Sequence, residues 1–111
     1  MDDLLDLVFD DITQSHREHL LSESYAQHEA LGEFYADARD ALDSFVEAAI
    51  ALDLPLPEDR EPDMLARLEA SYVTLAEGRE AACGGDATLE NLHDELAAVY
   101  LKAIYKLKRL A

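Results

Sequence analysis

The chain has 111 residues, half of them hydrophobic, and sets 25 acidic residues against nine basic ones for a formal net charge of −16. That length suits a single domain over residues 1–111, and the apolar share excludes a disordered chain. No apolar run reaches the roughly 20 residues of a membrane span, the start MDDLLDLVFDD is acidic where a signal peptide would be basic, and Cys83 has no second cysteine to pair with, so a cytoplasmic protein is expected.

Helical periodicity runs through the whole sequence and no alternating strand pattern interrupts it. Asp2 or Asp3 can cap a first helix that ends near Leu21, and Ser22 or Ser24 can cap a second that runs to about Leu52. The stretch DLPLPEDREPD, residues 53 to 63, holds all three prolines and is the one long connection. Pro62 suits the first turn of a third helix, which should end at Cys83 before Gly84 and Gly85. Asp86 or Thr88 caps a fourth helix carrying Leu89, Leu92, Leu96, Val99, Tyr100, Ala103, Ile104 and Leu107. The expected fold is all-α: a ferritin-like four-helix bundle with a long connection between helices 2 and 3, for which an ordinary up-down bundle gives a similar string.

At ~100° per residue, Leu4, Val8, Ile12 and His19 share one arc of the first helix, while Asp6, Asp10, Asp11, Gln14, Arg17 and Glu18 lie opposite. His19 therefore faces inward and His16 sits at the edge of the stripe. A lone inward histidine is more often a hydrogen-bonded core residue than a ligand. The second helix carries its apolar stripe on Leu31, Tyr35, Ala38, Leu42, Phe45, Ala49 and Leu52, with His28, Asp43 and Glu47 along one flank. Imidazole and carboxylate together suit iron or zinc, and the one-turn spacing of Asp43 and Glu47 lets both carboxylates share a cation. His28 and Asp43, however, are fifteen positions apart, roughly 22 Å along a helix axis at 1.5 Å per residue. One chain cannot close such a site, but two chains paired antiparallel about a two-fold near Ala36 and Asp37 bring His28 of one to Asp43 and Glu47 of the other, twice per dimer.

The segment HLLSESYAQHEALGEFYADARDALDSFVE, residues 19 to 47, resembles the Dps group of ferritin-like proteins, and most closely the compact Dps-like proteins common in phage genomes. SYAQHEALGEFY, residues 24 to 35, carries the closest likeness, and VYLKAIYKLKRL, residues 99 to 110, is similar to the C-terminal helix of those relatives. The resemblance implies ferrous iron bound at a dimer interface, with His19 and His28 from one subunit and Asp43 and Glu47 from its partner. His16 fits the spacing of standard Dps, and His19 that of the compact relatives. The resemblance further implies oxidation of the iron, in many members by hydrogen peroxide, and storage of the product in a hollow dodecamer. The expected cofactor is thus iron, with zinc as an in vitro substitute, and the expected partner a second copy of the chain, in a homodimer or larger homo-oligomer. This sequence departs from the family where Leu20 replaces a Trp, where Gly32 replaces a further acidic ligand, and in lacking a basic DNA-binding tail.

Direct DNA binding is argued against by the net charge, since phosphate contacts need clustered Lys and Arg. The basic residues Lys102, Lys106, Lys108 and Arg109 gather at the end, where a helix dipole favours cations in any case. An acidic surface can serve solubility in a salt-adapted proteome, attraction of metal cations or mimicry of nucleic acid. Abundant Asp, Glu and Ala with only three Lys suits the first best. The alternative function is a catalytically inactive structural or protein-interaction bundle whose four candidate ligands form an ion-pair network. Glu90 and His93 have the Glu-x-x-His spacing of di-iron bundles, but a single such motif is more simply packing. Cys83 has no cationic sequence neighbour to favour a thiolate.

Overall fold

The computed structural model describes residues 1–109; Leu110 and Ala111, the last residues of the expected domain, lie outside the described residues, as does the end of the segment 99 to 110. The described chain is all-α, with five helices: α1 (Asp2–Leu21), α2 (Tyr25–Ala51), α3 (Met64–Glu77), α4 (Arg79–Cys83) and α5 (Ala87–Arg109). It divides into two compact units, Met1–Arg60 and Glu61–Ala111.

In the first unit α1 and α2 pack against each other as a hairpin joined by residues 22–24. The break between them is local chemistry. Ser24 takes the cap position, with extended backbone, and its Oγ accepts from the Gln27 N–H at 3.3 Å, while Ser22 Oγ accepts from the Ser24 N–H at 3.2 Å. Leu42 and Ala49 of α2 and Ser15 of α1 are the buried residues here, and Ser15 satisfies its hydroxyl by donating to the Ile12 carbonyl at 3.1 Å. α2 ends at Ala51 with backbone bonds from Leu52 to Ala48 and from Leu54 to Ala49, and Asp53 turns the chain at φ 56. A left-handed conformation is one that Asp tolerates better than most residues.

The second unit is α3 and α5 side by side with α4 against α5. Lys108 near the end of α5 reaches Glu69 near the start of α3 at 3.5 Å, so the two helices run antiparallel. Two expectations change here. Asp63, not a proline-bearing first turn, begins α3: its carboxylate accepts from the Ala66 N–H at 2.9 Å, leaving Pro62 outside the helix. The expected unbroken helix to Cys83 is interrupted at Gly78, which closes α3 and opens the five-residue α4. Arg79 holds α4 in place by donating to Asp94 at 2.8 and 3.0 Å and to Glu90 at 3.2 Å, both on α5. Gly84 then takes φ 58, the left-handed cap that its lack of a Cβ permits, and Asp86 starts α5 by accepting from the Leu89 N–H at 2.9 Å. Cys83 and Ile104 are the buried apolar residues of this unit.

The Arg79 guanidinium, through its hydrogen bond to Asp94, holds that carboxyl below the usual carboxylate range, and Asp94 in turn raises Arg79. A carboxylate depressed on folding stabilises above its unfolded value, near about 3.9 for Asp, and loses that contribution as pH falls through the folded value. Asp94→Asn should therefore lower the unfolding midpoint at neutral pH and make the acid limb of a pH-dependent denaturation curve shallower. An unchanged acid limb would show that the pair is inert.

Candidate metal-ligand pair

His19 sits in the last turn of α1 and His28 in the first turn of α2, so the short connection brings them face to face. Their rings stack with centroids 3.8 Å apart at 20°. Each ring also reaches the other residue's backbone: His19 Nδ1 lies 2.6 Å from the His28 carbonyl oxygen, and His28 Nδ1 lies 2.6 Å from the His19 carbonyl oxygen. A carbonyl only accepts, so both Nδ1 atoms carry the proton and donate. In a neutral imidazole that tautomer leaves the Nε2 lone pair free to bind a metal, and the N–H···O=C bond raises the basicity of the ligating nitrogen. Among the described residues neither Nε2 is engaged in a hydrogen bond.

The local sequence explains the close approach. The His19 carbonyl is one of the four at the end of α1 that have no partner within the helix, and His28 supplies one. On the other side, the His19 ring lies over Gly32: a Cβ built at that position would stand 2.8 Å from His19 Cε1 and 2.9 Å from Nδ1. Gly32 is thus the place where the ring enters α2. Tyr35, one turn on, meets the edge of the His19 ring at 5.4 Å between centroids and stacks on His16 at 4.1 Å. His16 is exposed and His19 half-buried, so the structure pairs His19, not His16, with His28.

Asp43 and Glu47 are exposed on α2 and lie one turn apart. α2 is unbroken for 27 residues, which keeps the roughly 22 Å between His28 and Asp43 within one chain. Among the described residues, no three His, Cys, Asp or Glu side chains converge as one metal-binding group. The structure therefore brings His19 and His28 together and leaves Asp43 and Glu47 apart from them in the single chain. The Glu90–His93 spacing also finds no metal-like arrangement. Glu90 is taken by Arg79, and His93 Nδ1 is buried without a hydrogen-bond partner. Sequence reading placed Tyr35 only in the apolar stripe and Gly32 only as a missing acidic ligand, and did not see their contacts with His19; a glycine inside an otherwise good helix, thirteen positions after an inward histidine, was the available signal.

No helix among the described residues is long and apolar enough to cross a membrane. No curated protein and no solved structure matches the chain. A protein-family model matches residues 19–107, a span that includes His19, His28, Asp43 and Glu47. The chain belongs to that family, DUF5856, a family of unknown function.

Proposed function

We propose that this protein is a Dps-like member of the ferritin-like proteins that takes ferrous iron as substrate at sites shared between two copies, and oxidises it. The observation that carries the reading is the reciprocal pair His19–His28, with each Nδ1 committed to a backbone carbonyl and each Nε2 left for a metal. Asp43 and Glu47 of a second copy would complete a ligand set of two imidazoles and two carboxylates, which suits iron or zinc. Two-fold pairing of α2 gives two such sites per dimer. The residues of this chain would hold and orient the iron: the stack fixes the imidazoles, and the exposed carboxylates supply negative charge that favours the ferric product. Two ferrous ions would give the two electrons that, with two protons, reduce one hydrogen peroxide to two waters. Removing both Fenton reactants protects nucleic acid from iron-driven damage without touching it.

Each unit also leaves apolar surface open to a partner copy. In unit 1 a groove of about 310 Å³ is lined by Leu4, Val8, Phe34, Ala38, Leu42 and Phe45, with Phe34 46% and Phe45 47% exposed. In unit 2 Leu89, Leu92, Leu96 and Val99, at alternating spacings of three and four, are each about half exposed or more. Exposed rows of this kind mark surfaces that pack against a partner.

The same bonds favour one second reading. His28 capping the end of α1 is a sufficient structural reason for the histidine pair, and a bundle that kept this clamp while losing its chemistry would show it too. Anaerobic calorimetric titration of the apo-protein with ferrous iron separates the two. The ferroxidase reading expects two irons per dimer in wild type and none at those sites in His28→Ala. Binding no stronger in wild type than in His28→Ala would leave only the clamp.

A further inference from the structure

At the opposite end of α1 from His19, unit 1 carries a recess of about 210 Å³ lined by Asp2, Leu5, Asp6, Phe9, Pro57 and Asp59. The lining is half apolar and half carboxylate, and among the described residues none of the three aspartates forms an ion pair. The three carboxylates of the lining have no cation among the described residues, and Leu5, Phe9 and Pro57 beside them offer apolar surface. This is the complement of a cationic amphipathic helix: Lys and Arg lay their methylene stems on apolar groups while the charged head meets carboxylates, and an aromatic face adds attraction for the cation.

The sequence contains one segment of that chemistry. Residues 99–109 hold four of the nine basic residues and neither Asp nor Glu. Val99, Leu101, Tyr105 and Leu107 are 64%, 47%, 61% and 40% exposed, so the segment is apolar as well as basic. The dipole of α5 accounts for cations in the last turn, and two of the four are otherwise engaged: Lys108 with Glu69, and Arg109 over the Tyr105 ring at 5.7 Å. It does not account for Lys102, which lies farther in, nor for the exposed apolar residues. Lys102 and Lys106 are one turn apart on one face and, among the described residues, form no ion pair.

We propose that the basic end of α5 of one copy docks into the acidic recess of a second copy, Lys102 and Lys106 meeting Asp6 and Asp59. A second copy shares the net charge of −16 and is repelled overall much as an anionic lipid surface or nucleic acid would be, but those two offer α5 no carboxylates set beside apolar side chains. A second copy, in contrast, presents the recess, and a two-fold axis makes the contact twice. Charge sets the register of such an interface and the apolar residues strengthen it.

The test uses two charge reversals on exposed residues, Asp6→Lys with Asp59→Lys, and Lys102→Glu with Lys106→Glu. Association is read by sedimentation velocity in the presence of a chelator, so the result is independent of iron and of the ferroxidase reading. Each variant should associate at least about tenfold more weakly than wild type, with unchanged helical circular dichroism. An equimolar mixture of the two should recover wild-type mass, because in a mixed pair the intact recess meets the intact basic helix and the reversed recess meets the reversed helix. If reversal unfolds a chain, the milder Asp6→Asn with Asp59→Asn must show the weakened association by itself. Wild-type mass in either reversed variant, a mixture that stays dissociated (as it would if the two surfaces paired within one chain), or a monomeric wild type would each overturn the proposal.

Discussion

Gly32→Ala should weaken iron binding by about 10–100-fold while leaving the chain as helical as before, or more so. Two effects of one methyl group oppose each other here. In a helix interior alanine is favoured over glycine by about 1 kcal/mol, so propensity alone makes the change stabilising. The new Cβ, however, would stand 2.8 Å from His19 Cε1 and 2.9 Å from Nδ1, distances that force the ring to move. The neighbours restrict where it can go, since His28 stacks on one face at 3.8 Å and Tyr35 meets its edge at 5.4 Å. Displacing the ring removes the 2.6 Å bond from His19 Nδ1 to the His28 carbonyl, and with it the tautomer and orientation that present Nε2. Orienting partners of metal-bound histidines are worth about 10–100-fold in affinity when lost. The checks are thermal unfolding followed by circular dichroism and ferrous titration of the same sample. Full iron affinity in Gly32→Ala would mean that His19 is not a ligand.

Asp43→Ala combined with Glu47→Ala should eliminate iron-dependent oxidation, measured as ferric absorbance after peroxide addition, with little change in helix content or melting temperature. Both side chains are exposed and, among the described residues, form no ion pair within the chain, so their removal has no packing cost in one copy. Surface substitutions of this kind stay within about 0.5 kcal/mol of neutral. A large effect on oxidation beside a small one on stability is what exposed residues that act on the iron and carry no packing produce. Undiminished oxidation would remove them from the site.

The helix ends that the sequence disclosed were those made by neighbours in the chain. Ser24 and Asp86 cap with their own side chains three positions ahead, a relation visible in the string itself. Proline at 62 was misleading because Asp63 beside it offered a better cap than proline's fixed φ could. The break at Gly78 had its glycine as a signal, but what holds α4 at its angle is Arg79 reaching Asp94, fifteen positions away, which no local pattern reports. Periodicity turned His19 inward and set His16 at the stripe edge; burial agrees, with His19 half-buried and His16 exposed, although His16 also stacks on Tyr35. The partner of His19 was not legible in the same way. The exchange of bonds between His19 and His28 depends on the length of the turn and on the missing side chain at position 32, which read by family likeness looked only like an absent acidic ligand. The sequence spacing raised a site shared between two copies, and in a single copy Asp43 and Glu47 stand apart from the histidines.

Subunit complementation asks whether the iron sites are shared between two copies. His28→Ala and Asp43→Ala/Glu47→Ala proteins, each unable to bind iron at the site, are mixed, dissociated in mild denaturant and allowed to reassociate. Sites shared between chains combine the histidines of one variant with the carboxylates of the other, once in each mixed dimer, so random pairing restores about a quarter of the wild-type iron sites and a like fraction of the oxidation. Recovery of none, with mixed dimers shown to have formed, would contradict an interfacial site and leave the histidine pair as a clamp between α1 and α2.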